Sequence, residues 1–300
     1  MLLVGCTKGD GKDDTFTDLE LASVSAEDIR SRAVIDGTKF PTDNGGIGLF
    51  LFSDEAATTP YEASGYSNVG YFYNATKAKW TAGSAIKAGE KPGYLYGYFP
   101  YREADTDVKA IPVSSSLNGD DMMYAARQAS PITCQTASTT SITMSHALAR
   151  VALKVIKGDY QGAAKLTEII FSNEAGTQDG DKVKISSSGM LNAVDGSIAA
   201  ARADTVLFTV PEADRQITAG GTLYECLIVP SAVDSTGQKV ALTLTIDGER
   251  RSVSLSGDKG VAFISGVKST VTITLCDAEL SVSSVSITDW SDGSNTEADI

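Results

Sequence analysis

Val240-Ala241-Leu242-Thr243-Leu244-Thr245-Ile246-Asp247-Gly248-Glu249-Arg250-Arg251-Ser252-Val253-Ser254-Leu255 decides the fold class. Val240, Leu242, Leu244 and Ile246 recur with period two, which puts alternate side chains on one face of a strand. Alanine and threonine fill the places between. Asp247-Gly248 is a two-residue turn signal, and Val253 and Leu255 resume the alternation behind it, so the stretch reads as a β-hairpin.

The same grammar spreads outward from this hairpin. It governs Val151-Leu153-Val155, Val206-Phe208-Val210 and Val271-Ile273-Leu275, the last with threonines at 270, 272 and 274 on the opposite face. Tyr94, Tyr96 and Tyr98 share one face of a strand that Pro100 ends. Near the C-terminus, Leu280 and Val282 share one parity and Val285 and Ile287 the other, so Ser283-Ser284 is expected to hold a bulge. Only Asp120 to Ala129 looks helical, and it is short. Many short strands with turns every dozen residues or so predict an all-β protein of sandwich type. A polar run, Gln135 to Thr140, follows Pro131, and aromatic residues crowd the first half while aliphatic ones fill the second. This divides the chain into residues 33–145 and 146–300, behind an N-terminal segment of 1–32. No fixed-period repeat is visible, so a solenoid is not expected.

Composition narrows the function. Three hundred residues suffice for two ordinary domains with cores of their own. A net charge of −13 and a pI near 4.5 oppose binding to nucleic acid, whose phosphates would be repelled. The four cysteines, Cys6, Cys134, Cys226 and Cys276, lie far apart without a CxxC pair, which indicates neither a zinc site nor a dense disulfide framework. Cys226 and Cys276 sit in apolar strand patterns. Buried free thiols are the primary expectation there, and a bridge between the two is the alternative. No segment beyond the N-terminus approaches the roughly 18 apolar residues of a spanning helix.

Membrane attachment, if present, rests on Leu3-Val4-Gly5-Cys6. Small residues leading into a cysteine form a lipoprotein-processing site, with Cys6 as the lipidated residue. A secretory leader needs an apolar run of about 7–15 residues, and only five residues precede Cys6, so the true start is expected upstream. Residues 7–18 are polar and acidic, the composition of a mobile spacer.

The chemistry-bearing residues favour no enzyme. His146 is the sole histidine, which removes any multi-histidine metal site, and no Gly-x-Ser-x-Gly elbow, P-loop or dinucleotide fingerprint accompanies it. At the start of an apolar strand it reads as a structural group. The carboxylate clusters at Asp120-Asp121 and Asp179-Gly180-Asp181 read as solvated turns, the glycine-flanked setting in which such acids collect. The tyrosines at 61, 66, 71, 73, 94, 96, 98 and 101 read as sandwich packing, with a sugar-stacking platform as the alternative. No catalytic site, cofactor or metal is expected.

Taken in order, these landmarks resemble the fimbrillin family, the lipoprotein pilins of Bacteroidetes-type bacteria that include major and minor (Mfa-like) fimbrial subunits. The resemblance runs over nearly the whole chain. It comprises the lipobox ending at Cys6, Ser31-Arg32-Ala33 ahead of Gly46-Ile47-Gly48-Leu49-Phe50, Trp80 leading to Tyr94-Leu95-Tyr96-Gly97-Tyr98-Phe99-Pro100-Tyr101, His146-Ala147-Leu148-Ala149-Arg150-Val151, Leu227-Ile228-Val229-Pro230, and Val285-Ser286-Ile287-Thr288-Asp289-Trp290. What the resemblance implies is two tandem transthyretin-like Greek-key β-sandwich domains, export as a lipidated precursor, and assembly into surface fimbriae. It also implies an arginine-specific protease that removes the N-terminal segment and opens a groove for a strand from the next subunit. Carried onto this chain, the scissile bond is Arg32-Ala33, with Arg30 as the alternative, and the donor strand carries Leu280, Val282, Val285 and Ile287. Cleavage there removes four basic and seven acidic residues and moves the net charge from −13 to −10.

The expected function is therefore that of a structural and adhesive fimbrial subunit at the cell surface, tethered to the outer membrane by lipid before processing. Its expected partners are other fimbrial subunits, the processing protease and a surface receptor that the sequence does not identify. Stalk, anchor and tip positions all remain open. The alternative is a monomeric surface glycan-binding lipoprotein that uses the tyrosine-rich first domain; a secreted hydrolase ranks below both.

Overall fold

The structure, a computed structural model, describes residues 16–26, 45–62, 65–126, 130–178, 183, 185–200, 205–231, 239–277 and 279–290. The described chain is almost entirely β, the class that the alternation predicts. Its strands in order are β1 (Thr17–Asp18), β2 (Leu21–Ala26), β3 (Ile47–Phe52), β4 (Tyr66–Asn74), β5 (Lys79–Thr81), β6 (Lys87–Ala88), β7 (Tyr94–Phe99), β8 (Ile111–Ser114), β9 (Ser116–Leu117), β10 (Met123–Ala125) and β11 (Thr140–His146). There follow β12 (Ala149–Lys157), β13 (Leu166–Asn173), β14 (Ser188–Leu191), β15 (Ile198–Ala200), β16 (Thr205–Thr209), β17 (Thr222–Ile228), β18 (Val240–Ile246), β19 (Glu249–Leu255), β20 (Val267–Leu275) and β21 (Leu280–Asp289). The described residues form two compact units. One takes those up to Pro112, then 122–146 and 190–197; the other takes 113–121, 147–189 and those from 198 onward.

In the first unit, seven strands close into a barrel in the order β10-β11-β2-β5-β4-β3-β7, with β7 pairing back onto β10. Alternation decides what enters it. Ile47, Leu49 and Leu51 of β3, Leu95 and Phe99 of β7, and Ile142 and Met144 of β11 point into one core. The outer face near β3 and β7 is covered as well, since Phe50, Tyr96 and Tyr98 are fully buried there. Glycine makes that cover fit: a Cβ on Gly48 would stand 2.2 Å from the Tyr98 ring. A bulge in β4 holds Asn68 at φ 52°, a left-handed conformation that asparagine tolerates. Its Nδ2 donates to the Arg102 carbonyl at 2.7 Å and its Oδ1 lies 3.0 Å from the Tyr98 hydroxyl. A buried amide is thereby satisfied and the following loop held.

The second unit is a sandwich. A five-stranded sheet, β21-β20-β12-β17-β9, and a four-stranded sheet, β16-β13-β18-β19, enclose one core. Val240, Leu242, Leu244 and Ile246 are fully buried in it, as are Val271, Ile273 and Leu275. The hairpin β18–β19 forms in the register read from its sequence, Ile246 opposite Glu249, with Asp247 at φ 50° and Gly248 at φ 86°. Two positive φ values in succession are what a tight hairpin turn with the twist of its strands requires. The Asp247 carboxylate also accepts hydrogen bonds from the Ala164 and Lys165 N–H groups and the Tyr160 hydroxyl, all at 2.9 Å. Desolvation opposes its ionisation, but these donors outweigh it and hold the carboxyl below its ordinary value.

The structure corrects two expectations. Met123-Tyr124-Ala125 is strand β10, not part of a helix spanning Asp120 to Ala129. Met123 and Ala125 are buried while Tyr124 is half-exposed, so closing the barrel between β7 and β11 overrides the helical propensity of this short run. Asp121 is only 2 % exposed, so it does not lie in a solvated turn.

Candidate functional site

The described part of the N-terminal segment, residues 16–26, contributes to the barrel wall, and its Thr17–Asp18, expected to end a spacer, are a paired strand instead. β1 pairs with β6, the Leu19 N–H donates to the Ile86 carbonyl at 2.7 Å, and β2 then lies between β11 and β5. Leu19 and Leu21 are fully buried and Val24 is 4 % exposed. Their irregular spacing has a local cause. Leu21 faces Thr140 and Ser23 faces Ser141, so Ala22 is an extra, bulged residue that returns Val24 to the inner face. Each such aliphatic side chain contributes roughly 1.5–3 kcal/mol on full burial. Phe16, by contrast, stays 42 % exposed.

The two sides of β2 are held unequally. Toward β11 the pairing is parallel and continues to Met144 opposite Ala26, with hydroxyl contacts Ser23 to Ser141 at 2.8 Å and Ser25 to Thr143 at 3.3 Å. Toward β5 the ladder holds only Leu21 opposite Trp80. Side chains add anchors near the start. Tyr71 donates to the Leu19 carbonyl at 3.1 Å and accepts from the Ile86 N–H at 3.0 Å. Glu20 meets Lys77 and Lys79 at 3.0 Å each; the Lys79 hydrogen bond, then that of Lys77, holds its carboxyl below the ordinary value. Among the described residues, a strand with one full ladder and one nearly open side is thus the wall element that comes earliest in the chain.

At the other end of the chain, β21 is an edge strand paired antiparallel with β20. Ser283 is its bulged residue: Ile273 faces Val282 and Thr272 faces Ser284. Leu280 and Val282 are buried, Val285 packs against the core, and Ile287 is 41 % exposed. Trp290 follows, buried, with the Arg150 guanidinium 5.6 Å from its ring centroid. Arg150 itself is 2 % exposed and grips Glu225 through two hydrogen bonds of 2.7 and 2.6 Å. This assembly joins Arg150 and Trp290, residues 140 positions apart in sequence, and the residue pattern alone does not announce it.

Cys6, Arg30, Arg32 and Ala33 lie outside the described residues, as do Asp179-Gly180-Asp181 and the tail from Ser291. His146 does not begin the apolar strand β12, as its place in the sequence suggests, but ends β11 opposite Met123, where it is buried. The tyrosines do not gather on one surface. Tyr71 points into the barrel, Tyr96 and Tyr98 lie under its outer cover, and Tyr61 donates to the Lys91 carbonyl and accepts from the Gly89 N–H. Cys134, Cys226 and Cys276 are free; burial pushes the Cys226 thiol up. An open cavity of about 450 Å³ in the first unit is lined by Phe52, Tyr66, Ser67 and Asp107 among others. Among the described residues no group of three or more His, Cys, Asp or Glu side chains is arranged to hold a metal ion.

A protein-family model described as fimbrillin-like matches residues 14–290. A search of curated proteins finds no match. Among solved structures, a candidate cell adhesion protein from Bacteroides uniformis is similar over 92 % of this chain and 99 % of its own, at 21 % identity and a TM-score of 0.63. A second, from Bacteroides ovatus, covers 92 % of this chain and 98 % of its own, at 14 % identity and a TM-score of 0.60. At these identities the two structures bear on the fold.

Proposed function

The chain belongs to the fimbrillin-like family, and from that premise we propose that it is a structural and adhesive subunit of cell-surface fimbriae. It is exported as a lipoprotein precursor acylated at Cys6 and held at the outer membrane. An arginine-specific protease cuts at Arg32-Ala33, or at Arg30, and the subunit then assembles with others of its kind by strand complementation. It has no catalytic role.

The observation that carries this reading is the place of β2. The segment ahead of the proposed cut is a wall strand whose loss would part β11 from β5 and bare the side chains that meet Leu19, Leu21 and Val24. Unpaired backbone groups and an apolar trough are relieved by accepting another strand. The candidate donor carries Leu280, Val282, Val285 and Ile287.

Limited trypsin treatment of the purified precursor, followed by N-terminal sequencing and size-exclusion chromatography, tests the proposal. The expected result is a fragment beginning at Ala33 that associates, with Arg32→Ala resisting both changes. A fragment that never appears, or that stays monomeric at high concentration, refutes the assembly mechanism. Acylation is tested separately by supplying labelled fatty acid to cells that express the gene from its upstream start. Label that persists after Cys6→Ala refutes the assignment of Cys6.

A further inference from the structure

The cavity of about 450 Å³ in the first unit lies where the barrel departs from regular pairing. Leu49 faces Val69 and Leu51 faces Tyr66, so two residues of β4, Ser67 and Asn68, stand against Phe50 alone. A bulge of this kind re-aims side chains and breaks the ladder beside it. Asn68 is buried against Tyr98 and Arg102. Ser67 goes the other way, to the loop after β7, where its hydroxyl donates to the Thr106 carbonyl at 2.6 Å. A cleft is left between that loop, the end of β3, the start of β4 and the turn that carries Ala57 and Pro60.

Both walls are fixed by hydrogen bonds that need no ligand. In the turn, the Asp54 carboxylate accepts from the Ala56, Thr58 and Thr59 N–H groups at 2.9, 3.2 and 2.6 Å and from the Thr58 hydroxyl at 3.0 Å. Desolvation works against its ionised form, but the Thr59 and Thr58 donors outweigh it and hold the carboxyl down at about 2. Ala57 sits there at φ 50°, a left-handed backbone that a non-glycine residue keeps only where its surroundings impose it. In the opposite loop, Asp107 Oδ1 accepts from the Lys109 N–H at 2.9 Å and the Asp107 carbonyl from the Ala110 N–H at 3.0 Å. A cleft made rigid in advance spares its ligand the cost of ordering it, and this volume falls within the roughly 300–1,000 Å³ of small-molecule sites. Its lining is divided. Leu51, Ala57 and Val108 are buried and the Phe52 and Tyr66 rings half-exposed, whereas Ser67 and Asp107 stand exposed with oxygen acceptors.

We infer that this cleft binds a neutral pyranose, the end of a glycan chain, with its C–H face on Phe52 and Tyr66 and its hydroxyls donating to Asp107 and Ser67. The inference rests on the adhesive part of the proposed function, for which it supplies the chemical class of the receptor, and it asks nothing of the assembly step. The Ser67 hydrogen is committed to Thr106, so Ser67 and Asp107 both accept, and a ring of hydroxyl donors over an apolar face matches them. Other ligand classes fit less well. An anion would meet Asp107 in a chain of net charge −13. An apolar ligand would desolvate that carboxylate without pairing it. A cation would find, among the described lining residues, a single carboxylate already engaged by the Lys109 N–H.

The test applies the full-length chain to an array of neutral, sialylated and uronic-acid-capped oligosaccharides, then titrates the strongest neutral one, and choline as a cationic probe, by calorimetry. Binding is expected for neutral glycans alone. Asp107→Ala and Phe52→Leu should each weaken it about tenfold or more. Asp107→Ala, at an exposed position, should leave the thermal midpoint within about 2 °C of the parent, so its loss of binding is not a loss of fold. The proposal is overturned if no neutral glycan binds, if choline or a charged glycan binds more tightly, or if Asp107→Ala leaves neutral binding intact. Adhesion of cells displaying the chain that survives Asp107→Ala would keep the adhesive role and reject this cleft. A chain that binds glycan yet never associates after clipping would reject the assembly reading and keep this one.

Discussion

Truncating Leu21 to alanine separates the role of β2 from that of the rest of the barrel. Leu21 is fully buried, faces Thr140 on one side, and is the residue that pairs with Trp80 on the other. Removing its side chain from a closed core costs about 2–5 kcal/mol, cavity included. In a unit of this size, that corresponds to a fall in midpoint on the order of 10 °C. Ala22→Ser, one residue along on the bulge and exposed, should change stability by no more than about 0.5 kcal/mol. The chain has two tryptophans, Trp80 in the first unit and Trp290 in the second, so a Trp290→Phe background lets Trp80 fluorescence follow the barrel. A chain clipped after Arg32 and freed of its N-terminal segment no longer contains Leu21, and Leu21→Ala should leave that product's melting unchanged. If Leu21→Ala shifts the precursor no more than Ala22→Ser does, β2 does not support the wall and the reasoning fails.

In the second unit, Ile273→Ala should cost about 2–5 kcal/mol by chemical denaturation while Thr272→Ala is nearly silent, because only Ile273 faces the core; equal effects would overturn the assigned faces. Glu225→Ala leaves the Arg150 guanidinium buried without its carboxylate and should cost about 3–5 kcal/mol, most of it recovered in the double variant Arg150→Met/Glu225→Leu; the four-variant cycle measures this, and a double variant as unstable as the single one contradicts it. For Glu20, the folded pKa lies below the ordinary 4.5, so its contribution is fully present above that pH and is lost as the pH falls through the folded value. Melting wild type against Glu20→Gln from pH 6 to pH 3 should show a small, salt-sensitive advantage for wild type that vanishes in acid; an advantage that grows on acidification would have the wrong sign.

Legibility in the sequence followed whether one physical term dominated. The β18–β19 hairpin was readable because alternation and an Asp-Gly turn agree. The bulge at Ser283 was readable because apolar parity can change within a buried strand only where a residue is inserted. In β2 the same device sits where Leu21 and Val24 bracket Ala22-Ser23, but nothing in the segment specifies a parallel partner. β10 was missed because Met-Tyr-Ala favours a helix locally, and only the tertiary pairing with β7 and β11 decides otherwise. The Arg150, Glu225 and Trp290 assembly was hidden for the same reason. Each residue stands in an ordinary strand pattern, and the contact arises from strand order, which single-sequence periodicity does not carry.

The parallel sense of β2 against β11 has a bearing on growth. A strand that enters from another copy and keeps the β11 ladder must run in one direction only, so its subunit arrives in one orientation. Acceptor and donor are then different segments of each molecule, the heterologous case in which a second copy does not close the contact but offers the same acceptor again. A fibre formed this way has unlike ends: one presents an unfilled slot, the other a filled slot and a β21 that its subunit has not given up. Elongation by addition at the open slot ceases at any subunit whose own wall strand has not been removed, so an uncut chain that contributes its β21 acts as a terminator. The ratio of clipped to unclipped chains would then set fibre length.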